Sequence, residues 1–128
     1  MKEHSTAVCG QFHNAIELIG RRWTGAIIYV LLRSRSRFAE IRASIPDITD
    51  RMLSERLQEL EQEGILERTV VPETPVRVEY ALTKKGRALA TVMDAIGEWA
   101  HKWTEAPLET RKLQLRAKPA RRRAAQRD

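Results

Sequence analysis

Only one cysteine, Cys9, occurs in the 128 residues, so the chain has no internal disulfide framework, which fits a reducing cytoplasm. No run of about 18 uncharged apolar residues is present, which excludes a membrane-spanning helix. The opening "MKEHSTAVCG" lacks the apolar core that a secretory signal carries. The sequence also has no glycine-rich phosphate loop and no nucleophile set beside a base, so neither catalysis nor a cofactor is expected. His4, Cys9 and His13 are metal-ligating residue types, but three spaced residues near a terminus give no metal site. No internal repeat is visible. What is present is a hydrophobic share of 42%, enough for one compact core and too little chain for two.

The formal net charge of +6 points to an anionic partner, but it is unevenly spread. Residues 107–128, which include "KPARRRAAQRD", hold eight basic residues against Glu109 and Asp128. Residues 1–106 hold fifteen basic and fifteen acidic residues. The excess therefore lies in a basic tail that is expected to be disordered, and residues 1–106 form the folded domain. A polyanion held by that domain must be held by local arrangement and not by bulk attraction.

Hydrophobic spacing predicts a mainly α chain with a small β-hairpin. "GQFHNAIELIG" places Phe12, Ala15, Ile16 and Ile19 on one helical face. "WTGAIIYVLL" is apolar nearly all round and reads as a buried central helix. A third helix, "FAEIRASI", is expected to start at a Ser36 cap and to stop before Pro46. Thr49 caps a fourth helix that ends at Gly64. "ILERTVV" and "VRVEYAL" are strands joined by "PETP"; the second would turn Val76, Val78, Tyr80 and Leu82 to one side. Thr83 caps one long last helix through Trp103.

In the fourth helix, "DITDRMLSERLQEL", winding of about 100° per residue puts Leu53, Leu57 and Leu60 together. It sends Arg51, Ser54, Glu55 and Gln58 outward. An outward polar row is ordinarily just a solvated face. Here residues 21–42 carry six arginines, Arg37 among them, against Glu40 alone, whereas Glu59, Glu61 and Glu63 close the far end of the helix. A basic entrance and an acidic exit suit a helix entering a DNA groove by its N-terminus. Three helices with a short Pro-containing turn, followed by a hairpin, describe a winged helix-turn-helix, whose second motif helix reads the major groove. Arg51 is then the candidate for guanine O6 and N7, Glu55 for cytosine N4, and Ser54 for a base or phosphate. Thr49 would free neighbouring amides for a phosphate. Gln58, Arg37 and Arg77 complete the candidate DNA contacts. The wing tip carries Glu73 and Thr74 in place of a basic residue, which argues against minor-groove insertion by the tip; Arg68 and Arg77 sit lower on the strands.

"LIGRRWTGAIIYVLL", "RFAEI", "ITDRMLSERLQELEQEGILER" and "VEYALTKKGRAL" together resemble the HxlR family of bacterial transcriptional regulators, from about Cys9 to Trp103. The resemblance implies a homodimeric protein that binds double-stranded DNA as repressor or activator, with recognition helix Thr49 to Gly64 and wing Ile65 to Leu82. The N- and C-terminal helices are expected to form the dimer interface through Phe12, Ile16, Val92, Met93, Ile96, Trp99 and Trp103. Two-fold symmetry then implies a palindromic operator. A cytoplasmic, nucleoid-associated protein with no membrane contact follows.

Two readings of Cys9 stand. The resemblance implies a sensor of oxidants or electrophiles, although Gly10 follows it where proline is usual in the family; the other reading is an inert half-buried thiol. Trp23, Tyr29, Trp99 and Trp103 likewise read either as a pocket for a small aromatic effector or as plain packing. The rival to DNA reading as a whole is a winged helix used for protein–protein contact.

Overall fold

The computed structural model describes residues 7–104. The basic tail, 107–128, and His4 lie outside the described residues.

Helix α1 spans Gly10–Ile19 and α2 spans Thr24–Arg33. Helix α2 buries Thr24, Ile27, Ile28 and Leu31, which is why its sequence is apolar almost throughout. Strand β1, Ser36–Arg37, leads directly into α3, Phe38–Ser44. Helix α4 covers Asp50–Gln62, and strands β2, Leu66–Val71, and β3, Arg77–Leu82, form the wing. A single turn, α5 at Lys84–Arg87, precedes α6, Ala90–Trp103. The core gathers Ile27, Ile28 and Leu31 with Ile41, Ile45, Ile48, Leu53, Leu57 and Leu60, closed by Ile65, Leu66 and Leu82 at the root of the wing.

Four expectations are corrected. The hairpin gains a third strand: the sheet order is β1-β3-β2, antiparallel throughout, with Ser36 opposite Tyr80 and Arg37 opposite Glu79. Pairing keeps residues 36 and 37 extended, so the cap of α3 is Arg37 and not Ser36. The Arg37 amide donates to Glu40 Oε1 (2.7 Å), and the Ser36 hydroxyl donates instead to the Ser34 carbonyl (3.1 Å). The long last helix breaks after Arg87, with Ala88 and Leu89 forming a turn between α5 and α6. Val76 lies outside β3 and is exposed, since the strand begins only at Arg77.

The end of α4 is locked in place. Gly64 takes φ +76°, where a side chain would be strained, and the amides of Ile65 and Gly64 donate back to the carbonyls of Leu60 (2.9 Å) and Glu61 (3.0 Å). The Thr83 hydroxyl donates to the Gly64 carbonyl (2.5 Å) and accepts from the Gly86 amide (3.1 Å). A β-carbon on Gly86 would lie 2.1 Å from the Ile65 carbonyl oxygen, so only glycine lets "TKKG" close on this helix end.

Candidate nucleic-acid interface

The turn between α3 and α4 is built inside out. Ile45 and Ile48 are buried, which pins both ends of the turn to the core. Asp47, between them, takes φ +77°, a conformation that a short polar side chain tolerates better than a branched one. Thr49 then caps α4 as expected, its hydroxyl accepting from the Met52 amide (3.1 Å). Arg42 of α3 donates to Asp50 Oδ1 (2.7 Å), tying the two helices together at the mouth of the motif.

With Leu53, Leu57 and Leu60 buried beneath it, the outward row of α4 has a fixed direction. Arg51, Ser54 and Gln58 are exposed, Arg51 with 86% of its side chain accessible, and Glu55 is half-exposed. Arg51 Nε donates to Glu55 Oε2 (3.1 Å) one turn away. The two candidates for base contact thus neutralise each other, and a base contact by either would require it to give up this partner. Exposed i,i+4 pairs are weak, so the exchange is cheap.

Arg56 escaped the sequence reading. It is only 8% exposed, on the core side of α4, and its Nε donates to the Arg22 carbonyl (2.9 Å) while Nη1 donates to Glu59 Oε2 (3.2 Å). Arg21 reaches the same Glu59 oxygen (3.3 Å). The guanidinium thus fastens α4 to the α1–α2 junction. The signal was its place beside the leucines on the helix wheel, outside the solvent-facing row.

At the wing, Arg77 is held between Glu79 (Nε to Oε2, 2.8 Å) and Glu73, and these partners raise its pKa. The Arg77 hydrogen bond in turn lowers the pKa of Glu79. Arg37 is exposed and pairs loosely with Glu40 (3.9 Å). Both arginines line one open depression with Arg35, Ser36, Glu40 and Glu79.

The remaining candidates divide. Cys9 is half-buried at the start of α1. Phe12 and Ile16 on α1, and Val92, Ile96, Trp99 and Trp103 on α6, are exposed. Met93 differs from them, since it packs partly against the chain's own core, as does Trp23. Trp23 also carries Arg22 over its ring at 4.6 Å, whereas Tyr29 faces solvent. Sequence reasoning grouped four aromatics that the fold does not treat alike.

A buried-backed polar helix after a helix-turn, beside a three-stranded wing, defines a winged helix-turn-helix protein of the DNA-binding kind. The chain belongs to the HxlR-like helix-turn-helix family, whose model matches residues 18–107. It is 45% identical over 102 residues to the HTH-type transcriptional regulator YvaP of Bacillus subtilis, covering 80% of this chain and 94% of that one. It is 49% identical over 98 residues to the HTH-type transcriptional regulator YodB of the same organism, covering 77% and 88%. The structure of reduced YodB superimposes with a TM-score of 0.70 at 48% identity, covering 77% of this chain and 97% of that one. YodB is also known in a diamide-treated form (TM-score 0.66, 49% identity, 77% and 97% covered). Its quinone-bound form gives a TM-score of 0.67 at 44% identity, with 75% and 100% covered. The protein is a DNA-binding transcriptional regulator. Among its described residues, no helix is long and apolar enough to cross a membrane.

Proposed function

We propose that the chain acts as a homodimer that reads an inverted-repeat operator through α4, under oxidant or electrophile control at Cys9. The observation that carries the reading is the outward row of α4: Arg51, Ser54, Glu55 and Gln58 point away from a helix whose opposite face is anchored in the core. Arg51 takes guanine, Glu55 takes cytosine, and Thr49 and Ser54 serve the flanking phosphate. The exposed stripe of Phe12, Ile16, Val92, Ile96, Trp99 and Trp103 supports a second copy as the partner of α1 and α6.

The half-buried Cys9 at the head of α1 supports the sensor reading, as does the likeness to a regulator known in reduced, diamide-treated and quinone-bound forms. Two Cys9 thiols, one from each subunit, would lose two hydrogens to diamide and form one disulfide; a quinone would add to a single thiolate. An aromatic-effector site has less support, because Trp23 turns toward the core while Tyr29, Trp99 and Trp103 do not.

Selection of duplexes from a random pool by the purified protein identifies the operator. Arg51→Ala should then lose discrimination at one position of each half-site by about 1–3 kcal/mol. A protein–protein scaffold would select no sequence at all. Diamide should release the wild type from its operator and leave Cys9→Ser bound; equal responses dispose of the sensor.

A further inference from the structure

Five arginines around α3, the start of α4 and the wing each have a carboxylate of the same chain as a partner. Arg42 pairs with Asp50, Arg51 with Glu55, Arg37 with Glu40, Arg35 with Glu79, and Arg77 with Glu73 and Glu79. At the root of the wing the arrangement is most closely knit. Glu79 lies on the central strand, opposite Arg37 of β1 and Thr69 of β2. One of its oxygens accepts from Arg35 Nη1 (3.2 Å) and the other from Arg77 Nε (2.8 Å). Its side chain is only 17% exposed, whereas that of Arg35 is 53% exposed. Both guanidiniums line the same open depression. The Arg77 hydrogen bond lowers the pKa of Glu79 and so favours its ionised form.

We infer that Glu79 is a specificity-determining residue that occupies Arg35 and Arg77 in place of a DNA phosphate, suppressing sequence-independent binding. The inference rests on the reading of this face as the DNA-binding one, and it adds a role for two residues, Arg35 and Glu79, that the α4 contacts do not involve. The physical argument is competitive. Non-specific affinity is set by the phosphates that Lys and Arg neutralise, with a salt slope of about 0.9 per phosphate on duplex DNA. An arginine already bonded to a carboxylate neutralises nothing unless the phosphate displaces its partner. A duplex sliding past the wing supplies phosphates in no fixed geometry and does not displace it. A duplex seated on α4 holds one phosphate in register long enough for Arg35 to change partners, and exposed ion pairs are weak enough to allow the change. Glu79, less exposed and held on the sheet, stays in place and recaptures the arginine when the DNA leaves. The domain with no net charge thus reads sequence, and bulk attraction is left to the basic segment at 107–128.

The test uses the full-length chain, random-sequence duplex DNA and a salt titration, so it needs no operator. Glu79→Gln should bind random duplex several-fold more tightly than wild type at about 0.1 M salt, with a slope steeper by about one per protomer for the freed Arg35, since Arg77 keeps Glu73 as its partner. Adding Arg35→Ala to Glu79→Gln should remove that gain. Unchanged or weaker random-duplex binding by a folded Glu79→Gln would overturn the proposal, since the carboxylate would then be a support for the arginines and not a competitor. Arg35→Ala alone covers the case of a Gln variant that does not fold. It should leave the random-duplex slope unchanged and lower the slope on duplex selected by the wild type; equal losses on both again overturn it. Failure of the α4 reading shows separately, as a wild type that selects no sequence and an Arg51→Ala variant that changes nothing.

Discussion

Helices α4 and α6 carry the same kind of pattern, apolar residues every three or four positions, and meet opposite fates. Leu53, Leu57 and Leu60 of α4 are buried by their own chain. Of α6, only the first turns are covered, where Met93 and the preceding Leu89 pack against the core. Beyond them Ile96 is 51%, Trp99 64% and Trp103 68% exposed. Amphipathicity says that a helix has a face to hide and does not say what hides it. Helix α4 packs on β2 and shares one core with α2 and α3, whereas the later turns of α6 leave Ile96, Trp99 and Trp103 uncovered. One helix therefore belongs to the fold, and the other, on the reading proposed above, to the dimer.

The comparison breaks most visibly at Leu57. Leu57→Ala should cost about 2–5 kcal/mol in denaturant unfolding, because the cavity opens under α4. A cost near zero would mean that α4 is not anchored from beneath. Ile96→Ser and Trp99→Ser come next. Each should weaken self-association by up to about 1.5–3 kcal/mol per side chain, read by sedimentation over a dilution series, while the helical content of the monomer stays the same. If either variant unfolds the monomer, the exposed stripe is part of the fold after all and the contrast disappears.

Thr49→Ala sharpens the comparison at the other end of α4 and should lose about 1 kcal/mol, the worth of a side-chain cap. No such cap begins α6, so a matching change at Leu89 should act through packing alone. The smallest effect belongs to the wing. The pKa of Glu79 is lowered in the folded chain, so its contribution to stability is complete above the unfolded carboxylate value of about 4.3 and is lost as pH falls through the lower folded value. Wild type should show this acid-side loss, and Glu79→Gln should lack its share of it.

Much of the reading helix was legible because its signals are local. Thr49 is three residues from the amide it caps, Gly64 stands where the helix needs positive φ, and the leucine spacing alone orients Arg51, Ser54, Glu55 and Gln58. Strand β1 was not legible: two residues carry no periodicity, and Ser36 reads as a helix cap until Tyr80 is seen opposite it. Arg56 was missed for a similar reason. The wheel sets it beside the leucines, but what makes its burial tolerable, the Arg22 carbonyl 34 positions away, has no local trace. The wing ion pairs were hidden in part. Arg77 and Glu79 alternate on one strand face, but Arg35 joins them only because β1 runs antiparallel to β3.

The amino-acid order by itself determined the extent and caps of α4, the outward row it carries and the uneven distribution of charge, because each depends on the residues' own identities or on neighbours within a turn or two. Tertiary structure alone decided which apolar face would be covered, which distant carbonyl would receive Arg56, and which carboxylate would hold Arg35 and Arg77. Those outcomes depend on distances between segments far apart in the chain, and no local spacing encodes them.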